Sequence, residues 1–330
     1  MTWRCLDGST VLGSTATVGD EREGSGDPSE FYDAVASRYG ERYDKDKLLS
    51  ADRYSANYFR LQILSRALAA SNAKSVYEVG VGEGTPLVVL AGTGLQVAGC
   101  DISREMVRCA KERFTQAKLD PERIQYGDIE DPASFAVQAK QGPYDAVIAA
   151  GVLPHVKDDL GALRNMRTLV RTGGKALIEF RNKLFSLFTF NRFSHDFIVD
   201  ELLAEVAPEV KAAVSAELKK RCAMDLPAAG GKGGNLRYED IRARFHNPFE
   251  LPPLFEAAGF RFVRLHWYHF HAAPPLAEAA VGTDTFRRES MRLEGRTDDW
   301  RGYFLCSAGV VEADAVEAEP PVAQRGPSDD

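Results

Sequence analysis

The run Tyr77-Glu78-Val79-Gly80-Val81-Gly82-Glu83-Gly84 constrains this chain more than any other feature. Three alternate glycines follow a short strand-forming stretch and precede Thr85-Pro86, where proline suits the first turn of a helix. At such a strand-to-helix junction the backbone must approach a ligand closely, and only glycine avoids a Cβ clash. A dinucleotide fingerprint needs glycine at its first, third and sixth positions. Gly80 and Gly82 fit the first two, but Thr85 holds the sixth, and the third glycine falls one residue early at Gly84. Glu78 and Glu83 border the bend, and each carboxylate close to a pyrophosphate would cost on the order of 1 kcal/mol or more. The bend suits a cationic, phosphate-free nucleoside better than a dinucleotide.

Around this bend the chain alternates short apolar runs with helical periodicities, the pattern of an α/β fold with a parallel sheet. Strands are expected at Ser75–Val81, Gln96–Ile102, Ile124–Ile129, Tyr144–Gly151 and Lys175–Phe180. Helices are expected over Ala56–Ala70, burying Leu61, Leu64 and Leu68, and over Thr85–Gly94. Another is capped by Ser103 and buries Met106, Ala110, Phe114 and Ala117. A further helix opens at Asp158-Asp159 and stops at Gly173-Gly174. After the fifth strand the alternation breaks into an aromatic, helical insertion, 183–249, which includes the Gly230–Gly234 piece. Order resumes at 250–311, with a helix Leu251–Ala258, a long strand Phe260–His271 and a final strand Gly302–Val311. The Gly/Ser-rich stretch 1–28 and the acidic stretch 312–330 are expected to be disordered tails.

With these residues in order, the chain resembles the class I S-adenosylmethionine-dependent methyltransferases. Their first motif, acidic-x-Gly-x-Gly-x-Gly, is matched by Glu78, Gly80, Gly82 and Gly84. The second, a ribose-binding acid ending strand two, is matched by Asp101, with Ile102 placed to pack on adenine. The third, an acid after strand three near the adenine amine, is matched by Asp128 in Gly127-Asp128-Ile129; the fourth surrounds strand four, through Ala149. The resemblance covers roughly 30–182 and 250–311. It implies a Rossmann-like seven-stranded methyltransferase sheet with an antiparallel last strand, S-adenosylmethionine as cofactor, and a cofactor core spanning 29–182 with its N-terminal cap.

Subclasses can be set aside on the residues present. The Asn/Asp-Pro-Pro-aromatic motif of enzymes that methylate exocyclic amines is replaced by Gly151-Val152-Leu153-Pro154-His155, and strand five ends in Arg181-Asn182 where the magnesium-binding catechol type carries an acid. No metal is expected. The remaining fit is the small-molecule group of quinone-pathway, amino-sugar and natural-product enzymes, which often begin with a segment like Phe31–Tyr39 followed by aromatics such as Tyr43. The acceptor-binding candidates are Tyr32, Tyr39 and Tyr43 over the cofactor mouth, and Arg181, Asn182, Phe185 and His246 around the insertion, read as a substrate lid or as an interface. His155, just after strand four, is the candidate catalytic group, since its pKa range suits proton transfer. His195 also lies in the insertion. His266, His269 and His271 read as a strand with His266 on the opposite face, not a metal site.

Composition narrows the class further. A net charge of −7 argues against nucleic acid as a partner, since such binding rests on phosphate neutralisation. No apolar run approaches the ~20 residues that span a bilayer. Five cysteines without C-x-x-C spacing indicate a reducing, cytoplasmic setting. The expected partner is a small-molecule substrate, with a homodimer compatible. The alternatives are a nicotinamide-dependent oxidoreductase and a non-catalytic cofactor-binding protein, because fold alone does not guarantee chemistry.

Overall fold

The computed structural model describes residues 28–36, 39, 43, 56–135, 140, 142–221, 244–295 and 299–317; the Gly230–Gly234 piece, nearly all of 1–28 and residues 318–330 lie outside the described residues. Helices α1 (Pro28–Val35) and α2 (Ala56–Ala70) lead into β1 (Ser75–Val79), α3 (Thr85–Ala91), β2 (Gln96–Asp101), α4 (Arg104–Gln116) and β3 (Ile124–Tyr126). Then come β4 (Tyr144–Ala149), α5 (Asp159–Leu169) and β5 (Val170–Arg181), followed by short helical turns and α6 (Pro208–Arg221). The chain closes with α7 (Leu251–Ala257), β6 (Phe260–Phe270), α8 (Thr283–Leu293) and β7 (Cys306–Ala315).

The strands form a seven-stranded sheet in the order β3-β2-β1-β4-β5-β7-β6, parallel except for β7, which runs antiparallel to β5 and β6. Strand order reverses between β1 and β4, so the carboxyl ends of these two neighbours open a crevice. Period-two alternation supplies a core on each face. Val76, Val97, Ala146 and Ile148 face Leu64, Leu68, Leu87 and Phe114, while Tyr77, Ala98, Val147 and Ala149 face Leu163, Met166 and Phe255. At the opposite end of the switch point, Asp145 accepts hydrogen bonds from Lys74 N (2.8 Å) and Ser75 N (3.1 Å) and pairs with Arg171 (2.6 Å), tying β1, β4 and β5 together. Among the described residues, no helix is long and apolar enough to cross a membrane.

Most expected elements end one to three residues early, and three boundaries differ in ways that matter to the packing. Gly173 and Gly174 do not stop α5, which ends at Leu169; they form an irregularity inside β5, between the pairs Tyr144↔Val170 and Ala146↔Lys175. The last strand starts later than Gly302, because Gly302 opens a short helix whose Cα lies so near Trp267 that a Cβ would stand 2.3 Å from the ring. It also runs on to Ala315, past the expected start of the acidic tail at 312. Glu312 and Asp314 are held in the sheet by Lys175 (3.1 and 2.6 Å), and His266 lies 2.8 Å from Glu312. The hydrogen bond from His266 and then Lys175 pull the Glu312 carboxyl down to about 2.

Of the insertion, 186–221 is mostly helical, whereas 244–249 is not and bridges to Asn182 through His246. His195 joins two of its helices, with Nδ1 2.9 Å from Asp196 and Nε2 2.7 Å from Ser215 on α6. His269 and His271 lie buried side by side, ring centroids 4.9 Å apart, away from His266.

Candidate cofactor and acceptor site

The glycine loop turns from β1 into α3 through left-handed backbone at Gly80 (φ 74°), Gly82 (φ 54°) and Gly84 (φ 89°), a region where L-side chains are strained. A Cβ on Gly80 would stand 2.4 Å from Val152 Cγ2, so the loop and the segment after β4 touch only because that Cβ is missing. Gly80 N and Val81 N donate to Cys100 O (2.8 and 3.0 Å), and Gly82 N donates to Asp101 Oδ2 (2.8 Å). The third glycine does a different job. Gly84 caps α3 and lets it meet Ala110 of α4, whose Cα lies 3.1 Å from the position of a Cβ there.

Beyond the loop opens a cleft walled by Gly80, Gly82, Asp101, Ile102, Asp128 and Ile129 and by Val152, His155 and three tyrosines. Asp101 is buried, with one oxygen taking Gly82 N and the other taking Ser103 N (2.9 Å). Burial pushes its carboxyl up to about 6, against the pull of those two N–H donors. Each oxygen keeps a second lone pair for an incoming hydroxyl. Glu78 lies under the loop rather than in the cleft wall, and burial lifts it to about 8, with Arg60 pulling down and Asp101 and Glu83 pushing up. Glu83 reaches the wall but is committed to α3 and α4, pairing with Arg113 (2.6 Å) and accepting from Thr85 Oγ1 (2.9 Å). Asp128 fixes its own turn by accepting from Glu130 N (2.9 Å).

The tyrosines come from the N-terminal cap. α1 docks on α4 through Asp33, which accepts from Glu105 N (3.1 Å) and from Ser103 Oγ. The adjacent Tyr32 points into the cleft, where its hydroxyl lies 3.2 Å from His155 Nε2 and its ring meets Tyr39 edge-on at 6.0 Å. His155 closes the short turn Leu153–His155 at the carboxyl end of β4.

Of the residues singled out from sequence, Gly80, Gly82, Asp101, Ile102, Asp128, Ile129, Tyr32, Tyr39, Tyr43 and His155 line one cleft. Ala149 does not: its side chain is in the core, and the wall begins one residue later, at Ala150. The structure does not bring Arg181, Asn182, Phe185 and His246 to this cleft. Asn182 is fully buried and braces the start of β7, donating to Tyr303 O and Cys306 O (both 2.8 Å). Phe185 packs on His271 (ring centroids 4.4 Å), Arg181 extends toward Glu179 (3.9 Å), and His246 lies 3.3 Å from Asp159.

Sequence reasoning missed Arg60. From α2 its guanidinium pairs with Glu179 of β5, both nearly fully buried, and donates to Tyr43 OH (2.8 Å) in the cleft wall. Burial alone would raise Glu179, but Arg60, Arg181 and the Tyr268 hydroxyl together hold it below the usual carboxylate range. A Cβ on Gly151 would stand 3.6 Å from Glu179 Oε2 and 3.7 Å from Arg60 Nη1, which places this ion pair just behind the wall. An arginine in an apolar helix carries no local signal, because its partner lies 119 residues away.

Glycines that allow close approach, a carboxylate with spare lone pairs, and an acidic wall with no Lys or Arg among its described residues define a site for a cationic nucleoside on a class I methyltransferase fold. Residues 77–178 match the methyltransferase domain family model. The chain is 28% identical over 185 residues to the ubiquinone biosynthesis O-methyltransferase of Vibrio parahaemolyticus, covering 56% of this chain and 73% of that protein. It is also 28% identical over 218 residues to the enzyme of that name in Xanthomonas axonopodis pv. citri, covering 66% and 82%. The solved CcbJ methyltransferase of Streptomyces caelestis shares the fold, with TM-score 0.50 and 17% identity over 88% of this chain and all of that one. The protein is a class I S-adenosylmethionine-dependent methyltransferase.

Proposed function

We propose that this enzyme methylates a hydroxyl oxygen of a small aromatic acceptor, with His155 as general base. The observation that carries this reading is the Tyr32–His155 pair, 3.2 Å apart at the rim of the cleft and framed by Tyr39 and Tyr43. The names of the relatives add support for oxygen as the atom methylated.

When bound, S-adenosylmethionine supplies an electrophilic methyl group on a sulfonium. Asp101 would accept from its ribose hydroxyls, and Ile102 and Ile129 would flank its base. The protein's remaining tasks are to orient the acceptor, exclude water and remove one proton. Tyr32 holds the imidazole at the rim until an acceptor hydroxyl takes its place at Nε2. That nitrogen then receives the hydroxyl proton as the oxygen attacks, and the three tyrosine rings give the acceptor ring its apolar contacts. The same reading takes the enzyme as cytoplasmic, supported by free thiols at Cys100, Cys109 and Cys306.

Transfer of tritiated methyl from S-adenosylmethionine to a panel of phenols, catechols and matched anilines tests the proposal. Phenolic oxygens should be labelled, and His155→Gln should lower the rate by roughly 10²–10⁴-fold, with a smaller deficit for the more acidic phenols. Labelling of the anilines instead, or full transfer by His155→Gln, would overturn it.

A further inference from the structure

The insertion contributes none of its described residues to the cleft, yet it grips the segment that carries His155. Where the chain returns from it, Arg244 N donates to Pro154 O (2.8 Å) and Arg244 Nη2 donates to Val156 O (2.8 Å). These are the carbonyls immediately before and after His155. The same guanidinium pairs with Asp159 at the start of α5, and His246 Nε2 lies 3.3 Å from that carboxylate's other oxygen. From the other side, Glu130 Oε1 accepts from Lys157 N (2.8 Å) and Asp158 N (3.1 Å). The turn itself closes with His155 N donating to Val152 O (2.8 Å).

We infer that Arg244 is a positioning residue for His155, through which the insertion sets the direction of the imidazole toward Tyr32 and the acceptor. A three-residue turn has few internal bonds, so its orientation follows from what holds its carbonyls. Arg244 fixes one carbonyl with its backbone and the next with a planar, charged group that is itself anchored on Asp159. A ring carried on such a turn moves with it, and displacement by about 1 Å is enough to cost a catalytic group on the order of a hundredfold. The inference rests on the reading of His155 as the base.

The test uses the full chain labelled with ¹⁵N-histidine and saturated with S-adenosylhomocysteine. The six histidines are few enough to assign His155 by subtraction of the His155→Gln spectrum. Arg244→Met removes the guanidinium bonds but leaves the Arg244 N to Pro154 O bond, so the segment stays docked. Its His155 ring nitrogen signals and titration midpoint should move toward those of Tyr32→Phe, while affinity for S-adenosylhomocysteine stays within about twofold. Arg244→Lys, which can hold one of the two acceptors, should return the signals part of the way. A merely structural role would lower thermal stability without moving the His155 titration. His155 signals in Arg244→Met that superimpose on those of the unsubstituted protein would overturn the inference. Should Arg244→Met not fold, unmoved signals in Arg244→Lys would do so. Should the unsubstituted protein not bind S-adenosylhomocysteine, the cofactor site fails, and the same spectra of the free protein decide the inference by the same outcomes.

Discussion

Replacing Asp101 by alanine removes a cleft carboxylate whose two oxygens are both aimed by backbone N–H groups, Gly82 at 2.8 Å and Ser103 at 2.9 Å. Hydrogen bonds to a charged group contribute about 1.5–3 kcal/mol each, and part of that is recovered by water, so a loss of ~1–3 kcal/mol in cofactor affinity is expected. The pH dependence is the sharper signature. Burial raises this carboxyl to about 6 in the free protein. Hydroxyl donors from a ribose favour the ionised form and lower that value, so binding releases a proton. Affinity is therefore complete above about pH 7 and is lost as pH falls through 6. At pH 5 about a tenth of the free protein has the carboxylate, so the Kd should be roughly tenfold higher than at pH 8, equivalent to ~1.4 kcal/mol. Isothermal titration with S-adenosylhomocysteine between pH 5 and 8 measures it. In Asp101→Ala the rise between pH 7 and 5 should be absent. The reasoning fails if that variant keeps the acid limb, or if its affinity at pH 8 is unchanged.

Two further outcomes follow from groups behind the wall. Glu78 is raised by burial from 4.5 to about 8, so the folded state holds a proton that the unfolded chain has lost between those values. Stability falls as pH rises through that window; Glu78→Gln escapes this, and by pH 8.5 it should exceed the unsubstituted protein by at least ~1 kcal/mol in urea unfolding, with no such gain at pH 4. Arg60→Met leaves the Glu179 carboxylate buried without its main counter-charge, which typically costs about 3–5 kcal/mol; thermal unfolding should show a drop of several degrees or more, partly restored by adding Glu179→Gln. A drop of under ~1 kcal/mol would mean the pair is solvated.

The parts of the site that were legible in the sequence are those whose members are neighbours in the chain. Gly80, Gly82 and Asp101 announce themselves because a tight bend after a strand and an acid at the end of the next are local patterns, and parallel register then places them side by side through Val79↔Cys100. Tyr32 and His155 were identified one at a time; that they meet at 3.2 Å depends on α1 lying across α4. Ala149 was misplaced by one residue because strand periodicity assigns alternation but not where the strand ends. Asn182, Phe185 and His246 carried polar and aromatic signatures that suit a pocket equally well as a joint, and burial decided for the joint, while half-buried Arg181 turns toward Glu179.

Local patterning by itself determined the alternating sheet, the glycine bend and the acids that suit a cationic nucleoside, because glycine conformational freedom and strand periodicity act within a few residues. Only the tertiary structure decided that Arg60 pairs with Glu179 behind the wall, that Arg244 holds the carbonyls on either side of His155, and that Glu312 and Asp314 belong to a strand rather than a tail. Each of these joins residues more than eighty positions apart, or an acid to a cation on another strand. Coulomb attraction and burial depend on distance in space, and no spacing along the chain encodes them.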